Sequence, residues 1–176
     1  MTADWVSTFF RADDRFVSQV DDQLRPLVFE QHLKEGHRQV DRRAVFHRPA
    51  RLVRVRQGTG PEISLPIQRD ALDPLALFFY ARTLPLTAGS TVLLPMNDST
   101  RNYLVQLETA GEEVISYKGV QTPAIRATPV VRRAGGVSAG DITIWFETGP
   151  SRRPLRVDIA GLAGVGAVRL ELESGR

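Results

Sequence analysis

Cysteine is absent from all 176 residues, which excludes disulfides, thiolate metal sites and cysteine nucleophiles. Lysine is nearly absent as well. Of 23 basic residues only Lys34 and Lys118 are lysines, so arginine carries almost all of the positive charge. That skew reads as genome composition rather than as an arginine-specific site. No apolar run approaches the ~20 residues that a membrane-spanning helix needs. Histidine is scarce, and His32, His37 and His47 have neither His-x-His nor His-Glu-x-x-His spacing, so they read as solvated or packed side chains and not as metal ligands. A two-residue turn at Glu35-Gly36 sets His32 opposite Gln39 and keeps the imidazoles apart. Gly89-Ser90 and Ser138 lack the strand–turn–helix elbow of a serine hydrolase. Gly135-Gly136, Gly161 and Gly164-x-Gly166 lack phosphate-loop spacing and read as turns or strand bends. The start, Met1-Thr2-Ala3-Asp4-Trp5, has no basic region followed by an apolar one, so read literally the chain stays in the cytoplasm.

What is present is a β-rich pattern with a net charge of +3. The length suits one β-rich domain over 1–176, large enough to bury roughly 70% of its unfolded surface. Trp5, Phe9 and Phe10 lie at helical spacing and predict a short N-terminal helix. Period-two patterning then predicts strands at Arg15–Val20, Leu27–Leu33, His37–His47, Ala50–Gln57 and Glu62–Gln68. More follow at Thr91–Met96, Tyr103–Thr109, Glu113–Lys118, Thr122–Val131, Asp141–Glu147, Leu155–Ala160 and Val165–Leu172. Ile142, Ile144 and Phe146 share one side, as do Leu155, Val157 and Ile159, and Val168, Leu170 and Leu172. So many short strands predict a mainly β fold: a single antiparallel meander, bent strongly or rolled into an open barrel by accumulated twist.

One segment breaks that pattern. Asp73 is an N-cap residue, Pro74 suits the first helical position, and a helix is expected over about 73–84. It is apolar on two sides. Leu75, Phe78 and Phe79 fall on one face with Arg82, while Leu77, Tyr80, Ala81 and Leu84 fall on the other. A helix of this kind needs cover on both sides, and the expectation is a rod buried across the concave side of the sheet. The second distinctive segment is Arg38–Arg56, with Arg38, Arg42, Arg43, Arg48, Arg51, Arg54 and Arg56 against a single acid, Asp41. On adjacent strands these form a cationic face able to attract phosphate groups. Phe46 is the one aromatic residue within it, so nucleic acid is a poor fit. The acid pairs Asp13-Asp14, Asp21-Asp22 and Glu112-Glu113 point to opposite faces of a strand and suit turns or solubility. Glu147 lies near Trp145, whose apolar ring is expected to raise its pKa.

Three blocks carry a resemblance. The first runs from Asp14-Arg15-Phe16 through Leu24-Arg25-Pro26-Leu27 to Lys34-Glu35-Gly36. The second is Leu72-Asp73-Pro74-Leu75 with Tyr80 and Arg82, then Pro85-Leu86 and Gly89. The third is Gly140-Asp141 to Ile144-Trp145, then Arg153-Pro154 and Gly166 to Leu172. In this order, over nearly the whole chain, they resemble a family of bacterial exported proteins catalogued as domain of unknown function 3108. Ala76 stands where the family commonly shows Ser, and Phe79 where Tyr is common. The resemblance implies a periplasmic or cell-envelope setting. Family members also begin with a signal or lipoprotein peptide and about two strands that this chain lacks, so the expectation is either a true start upstream or a version that has lost its leading hairpin.

These readings converge on a non-catalytic binder of an apolar or lipid-like ligand or of an envelope protein. Leu75, Phe78, Phe79, Arg82 and Trp145 are expected to line the site. Arg38, Arg42, Arg43, Arg54 and Arg56 are expected to meet an anionic head group or partner. No catalytic set, metal or cofactor is expected, and the oligomeric state is left open. The alternatives are an assembly domain whose open sheet edge accepts another strand, and, ranked last, an enzyme using a carboxylate near Trp145.

Overall fold

A computed structural model of the chain describes residues 15–35, 38–133, 136–138, 142–162 and 166–171. The expected N-terminal helix lies outside the described residues. The elements run β1 (Arg15–Val20), β2 (Pro26–Glu35), β3 (Arg38–His47), β4 (Leu52–Gln57), β5 (Ile63–Pro66) and α1 (Pro74–Ala81). They continue with β6 (Thr91–Asn97), β7 (Asn102–Tyr117), β8 (Val120–Arg133), β9 (Gly136–Ser138), β10 (Ile142–Glu147), β11 (Pro154–Leu162) and β12 (Gly166–Glu171). The fold is mainly β, as expected, but the single meander is corrected to two antiparallel sheets. One sheet has the order β1-β2-β3-β4-β5. The other has the order β12-β11-β10-β8-β7-β6, with β9 paired to β8. Neither sheet closes into a barrel. Hydrogen-bonded strand succession stops at β5 because the chain then spends residues 67–90 on turns and α1.

Two compact units are present. The first comprises residues 15–80 with 94–104 and holds the five-stranded sheet; the second comprises 81–93 with the described residues from 105 onward. In the first unit, alternate residues Phe29, Leu33, Val40, Ala44, Phe46, Val53 and Val55 are buried, the period-two pattern of a sheet with one covered face. The β2–β3 register differs from expectation. His32 pairs with Asp41, not Gln39, and Glu35 pairs with Arg38. The expected register sets Phe29 against Arg42 and Leu33 against Arg38. The observed one sets Phe29 against Ala44 and Leu33 against Val40, so core matching decides it.

Helix α1 starts where Asp73 predicts. The Ala76 amide donates to Asp73 Oδ1 (2.8 Å), and the Ser18 hydroxyl of β1 donates to Oδ2 (2.6 Å). Leu72 beside it donates to Pro95 O (2.9 Å) and accepts from Asn97 N–H (2.8 Å), a parallel bridge to Met96. The helix ends at Ala81, sooner than expected, and it is sheltered on one side only. Ala76, Leu77 and Ala81 are buried, Leu75 and Phe78 are half-buried, and Phe79 is 44% exposed. The expectation that both aromatic flanks are hidden is corrected at Phe79.

In the second unit the expected strands Tyr103–Thr109 and Glu113–Lys118 are one strand, β7, that runs through Gly111. Gly111 has φ +116°, and a Cβ there would lie 3.0 Å from the Ala88 Cβ, so glycine bends the strand instead of ending it. Ile142, Ile144, Phe146 and Ile159 are buried together with Ile125 and Ala127. Leu155 leaves the row that sequence assigns it. A bulge lies where Trp145 pairs with Arg156 and Phe146 with Pro154, and Leu155 is the extra residue between them. The side chains of Val168 and Leu170, and Leu172 altogether, lie outside the described residues. Among the described residues no helix is long and apolar enough to cross a membrane.

Asp73 is fully buried, and burial pushes its carboxyl up to about 6, against hydrogen bonds that favour the charged form. A carboxyl raised in the folded state binds its proton more tightly there than in the unfolded chain. Its contribution is fully present below pH 3.8 and is lost as pH rises through 6. The shift corresponds to about 3 kcal/mol. Asp73→Asn keeps an N-cap side chain and removes the charge. Urea denaturation should show Asp73→Asn more stable than wild type at pH 7.5, with the difference closing by pH 4. A constant difference across that range would show that Asp73 does not titrate as described.

Candidate binding surfaces

The arginine-rich segment is sorted by strand parity. Arg43 pairs with Glu30 across β2–β3 and with Arg56 across β3–β4, while Val45 pairs with Arg54. Arg43, Arg54 and Arg56 therefore share the outward face of the five-stranded sheet. Arg42 lies on the other face, where its guanidinium donates to Gln31 Oε1 (3.0 Å) and Gln57 Oε1 (3.2 Å). Arg38 opens β3, and its side chain lies outside the described residues. Of the five expected arginines, three share the outward face, and Arg42 joins them in lining the groove there.

Acids that sequence reading passed over are interleaved with them. Arg43 Nε donates to Glu30 Oε1 at 3.0 Å. Glu62 lies 3.9 Å from Arg54 and 3.5 Å from Arg56. His32 Nδ1 sits 2.7 Å from Asp41 Oδ1. That hydrogen bond, with another from Gln39, holds the Asp41 carboxyl below its usual range. Together Glu30, His32, Asp41, Arg43, Arg54, Arg56 and Glu62 line a groove of about 380 Å³. The signal for the acids was parity: Glu30 and His32 alternate in β2 as Asp41 and Arg43 do in β3, so the right register aligns them.

The expected apolar lining divides between the two units. Leu75, Phe78 and Phe79 belong to the first, and the two phenylalanine rings meet edge to face at 5.5 Å. Arg82 and Trp145 belong to the second, and both are engaged there. Arg82 Nε donates to the Ser151 carbonyl at 3.1 Å. Trp145 is buried with Ile115, Ala124 and Leu155, and Tyr117 packs against that cluster. The Arg156 guanidinium lies 3.8 Å over its ring, and its indole N–H donates to Glu113 Oε1 at 2.5 Å. Arg126 approaches the same carboxylate at 3.3 Å. Trp145 is thus a capped structural residue on its sheet. Glu147 also departs from expectation. Hydrogen bonds from Arg153 and then Ser151 hold its carboxyl down to about 2, overriding the modest effect of burial. A carboxylate held so low is no general acid near neutrality.

The chain matches one family model, described as "Protein of unknown function (DUF3108)", over residues 1–173. No curated protein and no solved structure matches it.

The cap over Trp145 has a measurable weight. Arg156→Ala removes a cation–π contact and the aliphatic cover of a buried ring, and should cost about 1–2 kcal/mol in urea denaturation. Arg153→Ala, at an exposed ion pair, should leave the denaturation midpoint nearly unchanged. Equal midpoints for both variants would remove the capping role.

Proposed function

We propose that this chain, which belongs to the DUF3108 family, is a non-catalytic binding protein of the cell envelope that holds a lipid-like ligand against α1. One observation carries the reading. The eight residues Pro74–Ala81 contain no charged side chain, yet only the stripe of Ala76, Leu77 and Ala81 is buried. A helix that is apolar all round belongs in an interior, because each exposed apolar side chain forgoes its transfer free energy. Phe79, with half-buried Leu75 and Phe78 beside it, offers a flexible hydrocarbon chain a contact surface that a folded side chain does not fill. Trp145 and Arg82 have other work and are left out of the lining. A second reading, an assembly domain that accepts a foreign strand, draws on Ile63, 51% exposed on the edge strand β5. That strand has four residues, and short edges are a device against strand addition.

Solvent extraction and mass spectrometry of natively purified protein should recover an acyl-chain compound. Phe79→Asp should lower fatty-acid probe affinity at least tenfold while leaving the melting temperature within a few degrees, because the position is already exposed. No recovered ligand, or unchanged probe affinity in Phe79→Asp, refutes the lipid reading. A wild-type dimer dissociated by Ile63→Lys favours the assembly reading.

A further inference from the structure

We propose a second site: the outward groove of the five-stranded sheet binds a phosphate ester through Arg54 and Arg56. Like charges opposed on neighbouring strands are unfavourable, and Arg56 stands directly opposite Arg43. Glu30 neutralises Arg43 at 3.0 Å. Among the described residues Arg54 and Arg56 share one carboxylate, Glu62, and reach it at 3.9 and 3.5 Å. Charge-assisted hydrogen bonds between guanidinium and carboxylate are normally 2.7–2.9 Å, about a full ångström shorter than the first of these. The reason is geometric. The two arginines stand two residues apart on one strand, roughly 6.6 Å along it. Glu62 turns one oxygen to each guanidinium, so it cannot meet both forks bidentately.

A phosphate group can. Its oxygens spread tetrahedrally, so different edges meet different forks, and its negative charge is drawn to the cation that Glu62 leaves over. Arg54 and Arg56 are 52% and 59% exposed, so an incoming anion reaches both. The groove volume of about 380 Å³ leaves room for a small alcohol or head-group moiety beside the phosphate. Its far wall carries Asp41, held by His32, which suits hydroxyl donors on that moiety. The source is either a free phosphate ester or the head group of an anionic lipid. This site is independent of the helix stripe, because none of its residues belongs to α1.

The test uses the full chain and three probes: glycerol 3-phosphate, succinate, and vesicles of phosphatidylglycerol set against phosphatidylcholine. Titration calorimetry should show glycerol 3-phosphate binding at least fivefold tighter than succinate. The double variant Arg54→Gln/Arg56→Gln should lose at least tenfold. Arg69→Gln, half that charge change at an exposed position off the groove, should leave binding unchanged. Phe79→Asp should leave it unchanged too, which separates failure of this site from failure of the helix reading. Binding to phosphatidylglycerol vesicles but not to free glycerol 3-phosphate assigns the lipid source and keeps the site. Absence of binding in both arms, equal affinity for succinate, or an equal loss in Arg69→Gln overturns it.

Discussion

One buried carboxylate organises the first unit. Asp73 holds the start of α1 with one oxygen and the hydroxyl of Ser18 in β1 with the other, while its neighbour Leu72 bridges to Met96 of β6. Three segments far apart in sequence meet within two residues. Hydrogen bonds to a charged group contribute about 1.5–3 kcal/mol each, and burial works against them. The balance shows in a carboxyl pushed up to about 6. The helix is so short that its own hydrogen bonds cannot sustain it in water. Its existence depends on the cap and on the packing of Ala76, Leu77 and Ala81, and that packing fixes which stripe turns outward.

Strand register does for the sheet what Asp73 does for the helix. Once Phe29 faces Ala44 and Leu33 faces Val40, every outward position is assigned, and Glu30, Arg43 and Arg56 fall into one row. The row is acid, base, base, and the carboxylate that completes it, Glu62, comes from the approach to β5. A sheet stabilised only by cross-strand ion pairs would alternate signs. Here the guanidinium groups of Arg43 and Arg56 adjoin; Glu30 meets Arg43 at 3.0 Å, while Glu62 comes no nearer to Arg56 than 3.5 Å. The core dictates the positions of these charges; their identity is left to function.

Much of the fold was legible in the sequence, and the misses have particular causes. Period two found β1 to its last residue, and the Asp73-Pro74 pair found the start of α1 because capping is local chemistry. The β2–β3 register was missed because a glycine marks a turn without fixing its register; distant apolar pairs do that. Gly111 was read as a break in β7 because positive φ in a bent strand and in a hairpin turn look alike in sequence. The number of sheets was not legible, since period two describes each strand and not the point at which pairing stops. For the candidate sites, adjacency alone separates Arg42 from Arg43, whereas Glu30 and Glu62 join the groove only through pairing.

Trp145 and Phe79 show why residue type does not identify a binding surface. Both are large aromatics beside short apolar stretches. Trp145 sits where β8 and β11 flank it on one sheet face, so Arg126 and Arg156 are its register partners by construction. An arginine has a long apolar stem and a flat cation, and over the indole Arg156 covers the ring while Asp158 at 3.4 Å faces its charge. Phe79 lies on a helix, where its neighbours along the surface are residues three and four away. Those positions hold Leu75, Ala76 and beyond the helix end Arg82 and Thr83. Arg82 is the one cation among those four residues, and its guanidinium donates to the Ser151 carbonyl. The strand aromatic is capped by its own sheet. For the helix aromatic, cover has to come from outside the helix, which is the physical ground for reading α1 as the place where an apolar ligand is held.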